Sequence, residues 1–539
     1  MFKYIMSKLQ STPSGAVFNL WREKNIPTVL ITISLMCLLN GCRTRNEASL
    51  IYPVCGMPYE ECSPQMSAYK SVQLRTNRQD PNLALAVAVS GGGHRAANFT
   101  AGVMLGLEEL SNQDSTRTNV LSQVDYFSTV SGGGFAVAAY ISTLHDYLYF
   151  KATDDDYSFA KALRYPPENW PPVNCKAGCK STEQPPADQL TDPCIKRALQ
   201  GFYPEFLNKF LEEVLFGMTL GKLGKPCQLE QAIDNDLLGY CWRKRKLESS
   251  ASEENPNVSL KFNDIFIRKN DSDAQVNLPY WVANATAYEN GAIFAFTPDF
   301  LNLYDITGYK HRSKTYEYDS TKDNYGDFIW NVPLSLGATA SGNFPVVVPA
   351  TTLNSSMDPN NPYLHLLDGG MAENLGVITA LRLLEEECDN AVTKKVLLVV
   401  DAYHGTFAPF SKINYSPLMA DTTVRSMNIS LDSWHGRHRQ IVSQLSNNNN
   451  VEVVFLSFAD LDDLPDCSAL LDFGLDPNDV KKLTEKTNCA KPFSLLRTIP
   501  TINFKEKGML SSAQQNLLLA AGRYVAHKNK DQILQKLSW

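Results

Sequence analysis

Three short segments of this 539-residue chain join a reactive or charged side chain to a run of glycines. The first is Ser90-Gly91-Gly92-Gly93-His94-Arg95. Successive glycines let several backbone N–H groups converge on one spot, which makes a nest for an oxyanion or a phosphate. Arg95 adds a planar, fixed charge suited to phosphate. The second is Thr129-Val130-Ser131-Gly132-Gly133. A serine on a tight strand-to-helix turn has its hydroxyl pushed outward, and the helix N-terminus behind it favours developing negative charge. Gly133 permits close backbone packing where a Cβ would clash. Thr129 stands where the usual G-x-S-x-G elbow has its first glycine. The third is Asp368-Gly369-Gly370, a carboxylate able to approach a serine closely. An ordinary Asp titrates at about 3.9 and is a poor base for an alcohol, so burial must tune it. A serine at Ser131, a carboxylate at Asp368 and the backbone amides of Gly91, Gly92 and Gly93 are the kinds of group from which an acyl-transfer site can be built. The competing phosphate loops do not fit, since neither G-x-x-x-x-G-K-[ST] nor G-x-G-x-x-G is present.

These segments need elements to hold them. Leu83 to Val89 (LALAVAV) is a short run, apolar on both faces and closed by glycines, which reads as a buried parallel strand. Ala96 to Leu110 has helical spacing, with Phe99, Val103, Leu107 and Leu110 on one face. Tyr126 to Val130 is a second strand and Phe135 to Leu144 a second helix. Trp281 to Thr286, Ile293 to Phe296, Tyr363 to Leu367 and Val396 to Val400 read as further strands, and Val377 to Leu384 as a helix. This alternation predicts an α/β protein with a mainly parallel sheet, and such sheets build their sites at the strand ends. Residues 411 to 490 are more polar, and Asn447 to Asn450 predicts a loop. Residues from about 150 to 257 break the rhythm with Pro- and Cys-rich sequence, and are expected to form a helical insertion near the site. Within it Phe202 to Leu223 is amphipathic. It is a lid or interfacial element, or a helix packed on the core, and apolar stripes usually face the core.

Together the three motifs resemble those of patatin-like phospholipases and the related cytosolic phospholipase A catalytic domains. SGGGHRA at Ser90 to Ala96 resembles the family's oxyanion loop, STVSGGGF at Ser128 to Phe135 its serine elbow, and LLDGGMAENLGV at Leu366 to Val377 its D-G-[GA] element. NATAYENGAIFAFTP at Asn284 to Pro298 and ATASGNFP at Ala338 to Pro345 are similar to its supporting segments, and Arg497 to Ala526 resembles the end of bacterial members. The resemblance implies a three-layer α/β/α fold over 82–539. It implies a Ser131–Asp368 dyad without a catalytic histidine, and a lipid acyl hydrolase with no metal or organic cofactor. It carries over Arg95 as a substrate-phosphate or loop-stabilising residue. The substrate expected is a phospholipid or another acyl ester. Two other readings stand beside it. One is a catalytically silent surface lipoprotein that binds lipid or a partner. The other is a Ser-His-Asp esterase using His404, His435 or His527.

The composition, 44% hydrophobic and 20% charged, is that of a globular protein. A net charge of -7 argues against a nucleic-acid partner, and Arg243 to Lys246 is read as a solvated surface run. Residues 1–41 look like a targeting leader, with Lys3, Lys8, Arg22 and Lys24 before the apolar run Ile26 to Leu39. That run is shorter than the ~20 residues a membrane span needs. It ends in Leu39-Asn40-Gly41-Cys42, which resembles a bacterial lipobox with Cys42 as the acylated residue. The expectation is a lipid-anchored protein of the bacterial cell envelope, at the outer membrane in a Gram-negative organism, with 42–81 as a tether. Of the 12 cysteines, those other than Cys37 and Cys42 are expected to form disulfides, as in other exported chains.

Overall fold

The computed structural model describes residues 82–111, 119–149, 258–265, 278–311, 314–344, 350–385, 392–403, 435–442, 451–486 and 510–539, with a few single residues between. Its frame is one mixed sheet of ten strands. The strands are β1 Leu83–Val89, β2 Tyr126–Val130, β3 Tyr280–Ala287, β4 Ile293–Phe296 and β5 Ile306–His311. They continue with β6 Lys314–Glu317, β7 Thr351–Ser355, β8 Tyr363–Asp368, β9 Lys394–Asp401 and β10 Val451–Ser457. The order is β10-β9-β1-β2-β3-β8-β7-β5-β6, with β4 also on β3. The first five of these strands are mutually parallel, and every pairing from β3 to β6 is antiparallel. All seven residues of β1 are buried, as a central parallel strand covered on both faces requires. Strands of the antiparallel half such as β8 alternate instead, with Leu364, Leu366 and Asp368 buried and Tyr363 exposed.

Helices complete a three-layer α/β/α arrangement. The main ones are α1 Gly93–Glu109, α2 Gly133–Tyr149, α3 Leu334–Ser341, α4 Val377–Glu385, α5 Pro477–Lys486, α6 Ser512–Lys528 and α7 Lys530–Leu537. Helix α4 lies on β1, β2 and β9, while α1 packs on α2 and along α6. The contact between α1 and α6 is backbone on backbone. A Cβ on Gly102 would lie 2.1 Å from the carbonyl oxygen of Leu519, and one on Gly522 2.3 Å from that of Phe99. A C-terminal helix therefore braces the helix that begins at the first glycine loop.

The predicted strands are present, and both early helices begin earlier than their apolar spacing suggested. Helix α1 starts at Gly93 and α2 at Gly133, so each glycine loop runs directly into a helix. Strand β10 falls in the stretch read as polar. Its sequence VEVVFLS keeps only part of an alternation, because it is the edge strand and is half covered. Strands β5, β6 and β7 are short, polar pieces of the antiparallel wing, which hydrophobic pattern alone does not mark. Cys467 is disulfide-bonded. The leader, Cys42, the tether and almost all of the 150–257 insertion lie outside the described residues. Among the described residues no helix is long and apolar enough to cross a membrane.

Two substitutions test the α1–α6 brace. Gly102→Val and Gly522→Val each force a branched side chain into a backbone contact, and each is expected to cost about 1–3 kcal/mol or more in denaturant unfolding. Gly436→Ala meets nothing within 4 Å and is expected to be near neutral or mildly stabilising.

Candidate active site

Sheet register brings Ser131 and Asp368 together. Val130, the last residue of β2, pairs with Asn284 of β3. One residue further along β3, Ala285 pairs with Asp368, the last residue of β8. Ser131 and Asp368 thus leave the sheet at neighbouring levels of one strand. The Ser131 hydroxyl donates to Asp368 Oδ2 at 2.6 Å. The other oxygen, Oδ1, accepts from the amide of Gly370 at 2.8 Å. The Asp368 amide donates to the carbonyl of Asn343 at 3.0 Å, and Thr286 Oγ1 donates to the Asp368 carbonyl at 2.8 Å. Asp368 is only 3% exposed, whereas Ser131 is half-buried.

Ser131 adopts φ 51°, a left-handed conformation that costs a non-glycine residue ~1–2 kcal/mol. That turn aims its hydroxyl away from the strand at the N-terminus of α2, as an elbow requires. The Ser131 amide donates to Ser341 Oγ at 2.8 Å. Thr129, in place of the elbow's first glycine, is buried; its hydroxyl accepts from Trp281 Nε1 at 3.0 Å and donates to the Val282 carbonyl at 3.3 Å. The departure from the pattern is absorbed on the β3 side of β2.

The first glycine loop lies against the elbow. A Cβ on Gly132 would sit 2.2 Å from the carbonyl oxygen of Gly93, and one on Gly133 2.2 Å from that of Ser90. Both positions are closed to any larger residue unless the loops separate. Ser90 fastens its loop to the end of β9, donating from its amide to Val400 at 2.9 Å and accepting from the Ala402 amide at 2.8 Å. The amide of Gly91 is directed to the Asn374 carbonyl at 2.9 Å. Gly92 and Gly93 have φ of 143° and 57°. Gly92 caps α1 and Gly93 is its first residue, so the Gly93 amide has no acceptor within the helix. Of the three glycines, Gly92 and Gly93 are the ones whose amides no described residue accepts.

Arg95 is 5% exposed. Its guanidinium donates to the carbonyls of Ala402 and Ile499, both at 3.2 Å. These bonds tie the start of α1 to the backbone at Ala402 and Ile499. Burial pulls Arg95 down to about 10, against Tyr403 and Asp401, so it stays a cation at neutral pH. His94 is buried, and burial lowers it to about 3. It is a neutral helix residue. Asp401, at the end of β9, lies 3.1 Å from His435. His527 is paired with Glu109 at 2.8 Å, and His404 lies outside the described residues. Among the described residues, no histidine bonds Ser131. A serine–histidine contact does occur elsewhere, between Ser259 and His311 at 3.2 Å. There Ser259 donates to Asp234 at 2.8 Å and His311 pairs with Glu230, all four being buried core residues. Among the described residues, no group of three or more His, Cys, Asp or Glu would hold a metal.

Beneath the dyad runs a buried polar chain. Asn284 Nδ2 donates to Ser128 Oγ at 2.9 Å and to the Thr129 carbonyl at 3.0 Å. Thr379 donates to Asn284 Oδ1 at 2.6 Å, and Ser128 donates to the Gly376 carbonyl at 2.6 Å. It ties β2, β3 and α4 into one floor. Neither these residues nor Ser341, Asn343 and Asn374 stand out singly in the sequence. The signal that could have found most of them is their place in the segments at Asn284 to Pro298, Ala338 to Pro345 and Leu366 to Val377.

The arrangement is that of an α/β/α protein with a serine on a strained elbow, a buried carboxylate against its hydroxyl and a glycine loop at its side. The family model of the patatin-like phospholipases matches residues 87–381, more than half of the chain. The chain belongs to this family, whose members are lipid acyl hydrolases. Solved structures similar to it include human GIVD cytosolic phospholipase A2, at 12% identity and TM-score 0.38 over 89% of this chain and 67% of that one. The same enzyme with methyl gamma-linolenyl fluorophosphonate overlaps at 13% identity and TM-score 0.35, over 88% of this chain and 61% of that one. VipD from Legionella pneumophila overlaps at 13% identity and TM-score 0.23, over 70% of this chain and 61% of that one. The chain thus spans about two thirds of the length of these structures. No curated protein sequence matches it.

Burial pushes the Asp368 carboxyl up to about 6, against the hydrogen bonds from Ser131 and Gly370 that pull it down. Only the ionised form can take a proton. Hydrolysis of a soluble ester is therefore expected to rise through pH about 6 and level off above it, read as kcat/KM against pH. Stability runs the other way. A carboxyl raised on folding contributes stability that is present below its unfolded value and lost as pH rises through its folded one. Asp368→Asn is expected to abolish activity while unfolding no more easily at neutral pH, with up to ~3 kcal/mol of burial cost relieved.

Proposed function

We propose that this protein hydrolyses fatty acyl esters of lipids, most simply of glycerophospholipids, through Ser131 and Asp368. The observation that carries the reading is the 2.6 Å hydrogen bond from the Ser131 hydroxyl to Asp368 Oδ2. Asp368 accepts the Ser131 proton as Oγ attacks the acyl carbonyl, and the new C–O bond leaves a negative charge on the former carbonyl oxygen. The amides of Gly92 and Gly93, at the N-terminus of α1, receive that charge. Collapse of the tetrahedral species breaks the ester C–O bond, and the departing alcohol takes the proton from Asp368. Water then gives a proton to Asp368 and attacks the acyl-serine, releasing the fatty acid and restoring the hydroxyl. One carboxylate serves as base and acid in turn, and burial holds it near the pH at which both roles are open to it.

The same proposal places the protein at a membrane. Cys42 would carry the acyl chains and 42–81 would tether the enzyme above the lipid surface. A single anchor supplies proximity and leaves the choice of leaflet to export.

The test is fatty-acid release from mixed phospholipid vesicles and from a short-chain ester by the chain from residue 43 onward. Wild type is expected to release acid from both, and Ser131→Ala and Asp368→Ala from neither. Folded wild type that releases nothing would favour the silent, lipid-binding alternative. In the full-length protein expressed in bacteria, Cys42→Ala is expected to abolish incorporation of labelled palmitate and shift the protein out of the membrane fraction. Palmitate retained in that variant would remove the anchor from the proposal.

A further inference from the structure

We propose that the turn Ser341-Gly342-Asn343 is a clamp that positions both members of the dyad, and that the Ser341 hydroxyl holds Ser131 in its reactive conformation; this rests on the reading of Ser131 as nucleophile. A left-handed serine persists only where its surroundings fix it, because its own backbone preference opposes the conformation. In this elbow the fixing contact is a side chain. Ser341 Oγ accepts from the Ser131 amide at 2.8 Å and is 2% exposed. Two residues on, the carbonyl of Asn343 accepts the Asp368 amide at 3.0 Å. One three-residue turn therefore holds the backbone N–H of the nucleophile and that of the base.

The turn is itself rigid. Ser341 ends α3, which packs on β3, β8 and the turn after Asp368. The amide of Gly342 closes the helix against the carbonyls of Ala338 and Thr339 at 3.1 and 3.0 Å. Asn343 is fully buried, and its Nδ2 donates to Thr351 Oγ1 on β7 at 2.6 Å. Its other side-chain atom, Oδ1, has no hydrogen-bond partner among the described residues. A buried orphan oxygen is tolerated where the backbone position matters more than the side chain's own satisfaction. Strands β2 and β8 are not direct neighbours in the sheet, so their register through β3 sets the level of the two residues. The turn sets the finer distance, on which proton transfer depends steeply. Ser341 is a positioning residue, acting through Ser131 and not on the substrate.

The experiment compares wild type, Ser341→Ala, Ser341→Thr and Ser131→Ala in the same chain. Two quantities are read: the rate of covalent labelling by a fluorophosphonate probe, and kcat and KM on a short-chain ester. Ser341→Ala is expected to lower kcat and the labelling rate about 10- to 100-fold while KM changes about twofold or less. Ser341→Thr keeps the acceptor oxygen and is expected to restore most of the loss. Should Ser341→Ala fail to fold, Ser341→Cys fills the same space with a poor acceptor, and the same drop is expected of it. Wild-type kcat and labelling in folded Ser341→Ala or Ser341→Cys would overturn the clamp. The two readings fail apart. Labelling lost in Ser131→Ala but untouched in Ser341→Ala sinks the clamp alone. Labelling and hydrolysis that persist in Ser131→Ala sink the dyad, and the clamp with it.

Discussion

The site depends on one hydrogen bond, from the half-buried Ser131 to the buried Asp368. In water a carboxylate would keep its own hydration and have little appetite for a serine proton. Here the Asp368 side chain is withdrawn from solvent and left with two donors, the Ser131 hydroxyl and the Gly370 amide. Desolvation destabilises the charged form, and the two donors recover only part of that loss, so the carboxyl ends near 6 rather than near 4. The burial that raises the Asp368 carboxyl also makes it a burden on stability at neutral pH. The fold carries that burden through the parallel core of β10-β9-β1-β2-β3, whose central strands are buried on both faces.

Geometry follows from close backbone approach. The loops after β1 and β2 touch through Gly93 and Gly132 and through Ser90 and Gly133, at distances no side chain would allow. This contact puts the N-terminus of α1 beside the hydroxyl at the N-terminus of α2. Two helix ends then bias the same small volume toward negative charge. The glycines of the first loop divide the work between them. Gly91 is spent on the Asn374 carbonyl, which anchors the loop to the segment after Asp368. Gly92 and Gly93 adopt backbone angles that other residues resist. Within one run of three residues, the first thus anchors the loop and the next two turn it into α1.

Much of this was legible in the sequence, and the boundary is physical. Buried parallel strands such as LALAVAV and VLLVV announce themselves because both faces must be apolar. The glycine motifs were legible because few chemistries need a serine or an aspartate before two glycines at a strand end. Three kinds of feature were hidden. Strand β10 and the wing of β5, β6 and β7 lie at edges or on half-solvated faces, where composition drifts toward that of loops. The role of Arg95 was open because charge and spacing do not say whether a guanidinium faces substrate or backbone; its bonds run to the carbonyls of Ala402 and Ile499. The polar floor of Asn284, Ser128 and Thr379 was hidden because its members come from three distant segments and bond side chain to side chain.

Position in the sheet explains why these hidden residues matter. The dyad sits where the parallel sheet gives way to the antiparallel wing, with β3 serving both halves. A strand that ends there leaves a neighbouring level open, and the chain can place a residue from a second strand beside it. Along that short length β3 pairs with β2, β4 and β8. Further bonds cross the junction: the Asn284 side chain binds β3 to β2, the Thr286 hydroxyl binds β3 to the Asp368 carbonyl, and the backbone carbonyl of Asn343 takes the Asp368 amide. The polar residues around the dyad are thus the structural consequence of building a site at a change of strand direction. They are fixed by the same break in the sheet that lets serine and aspartate meet.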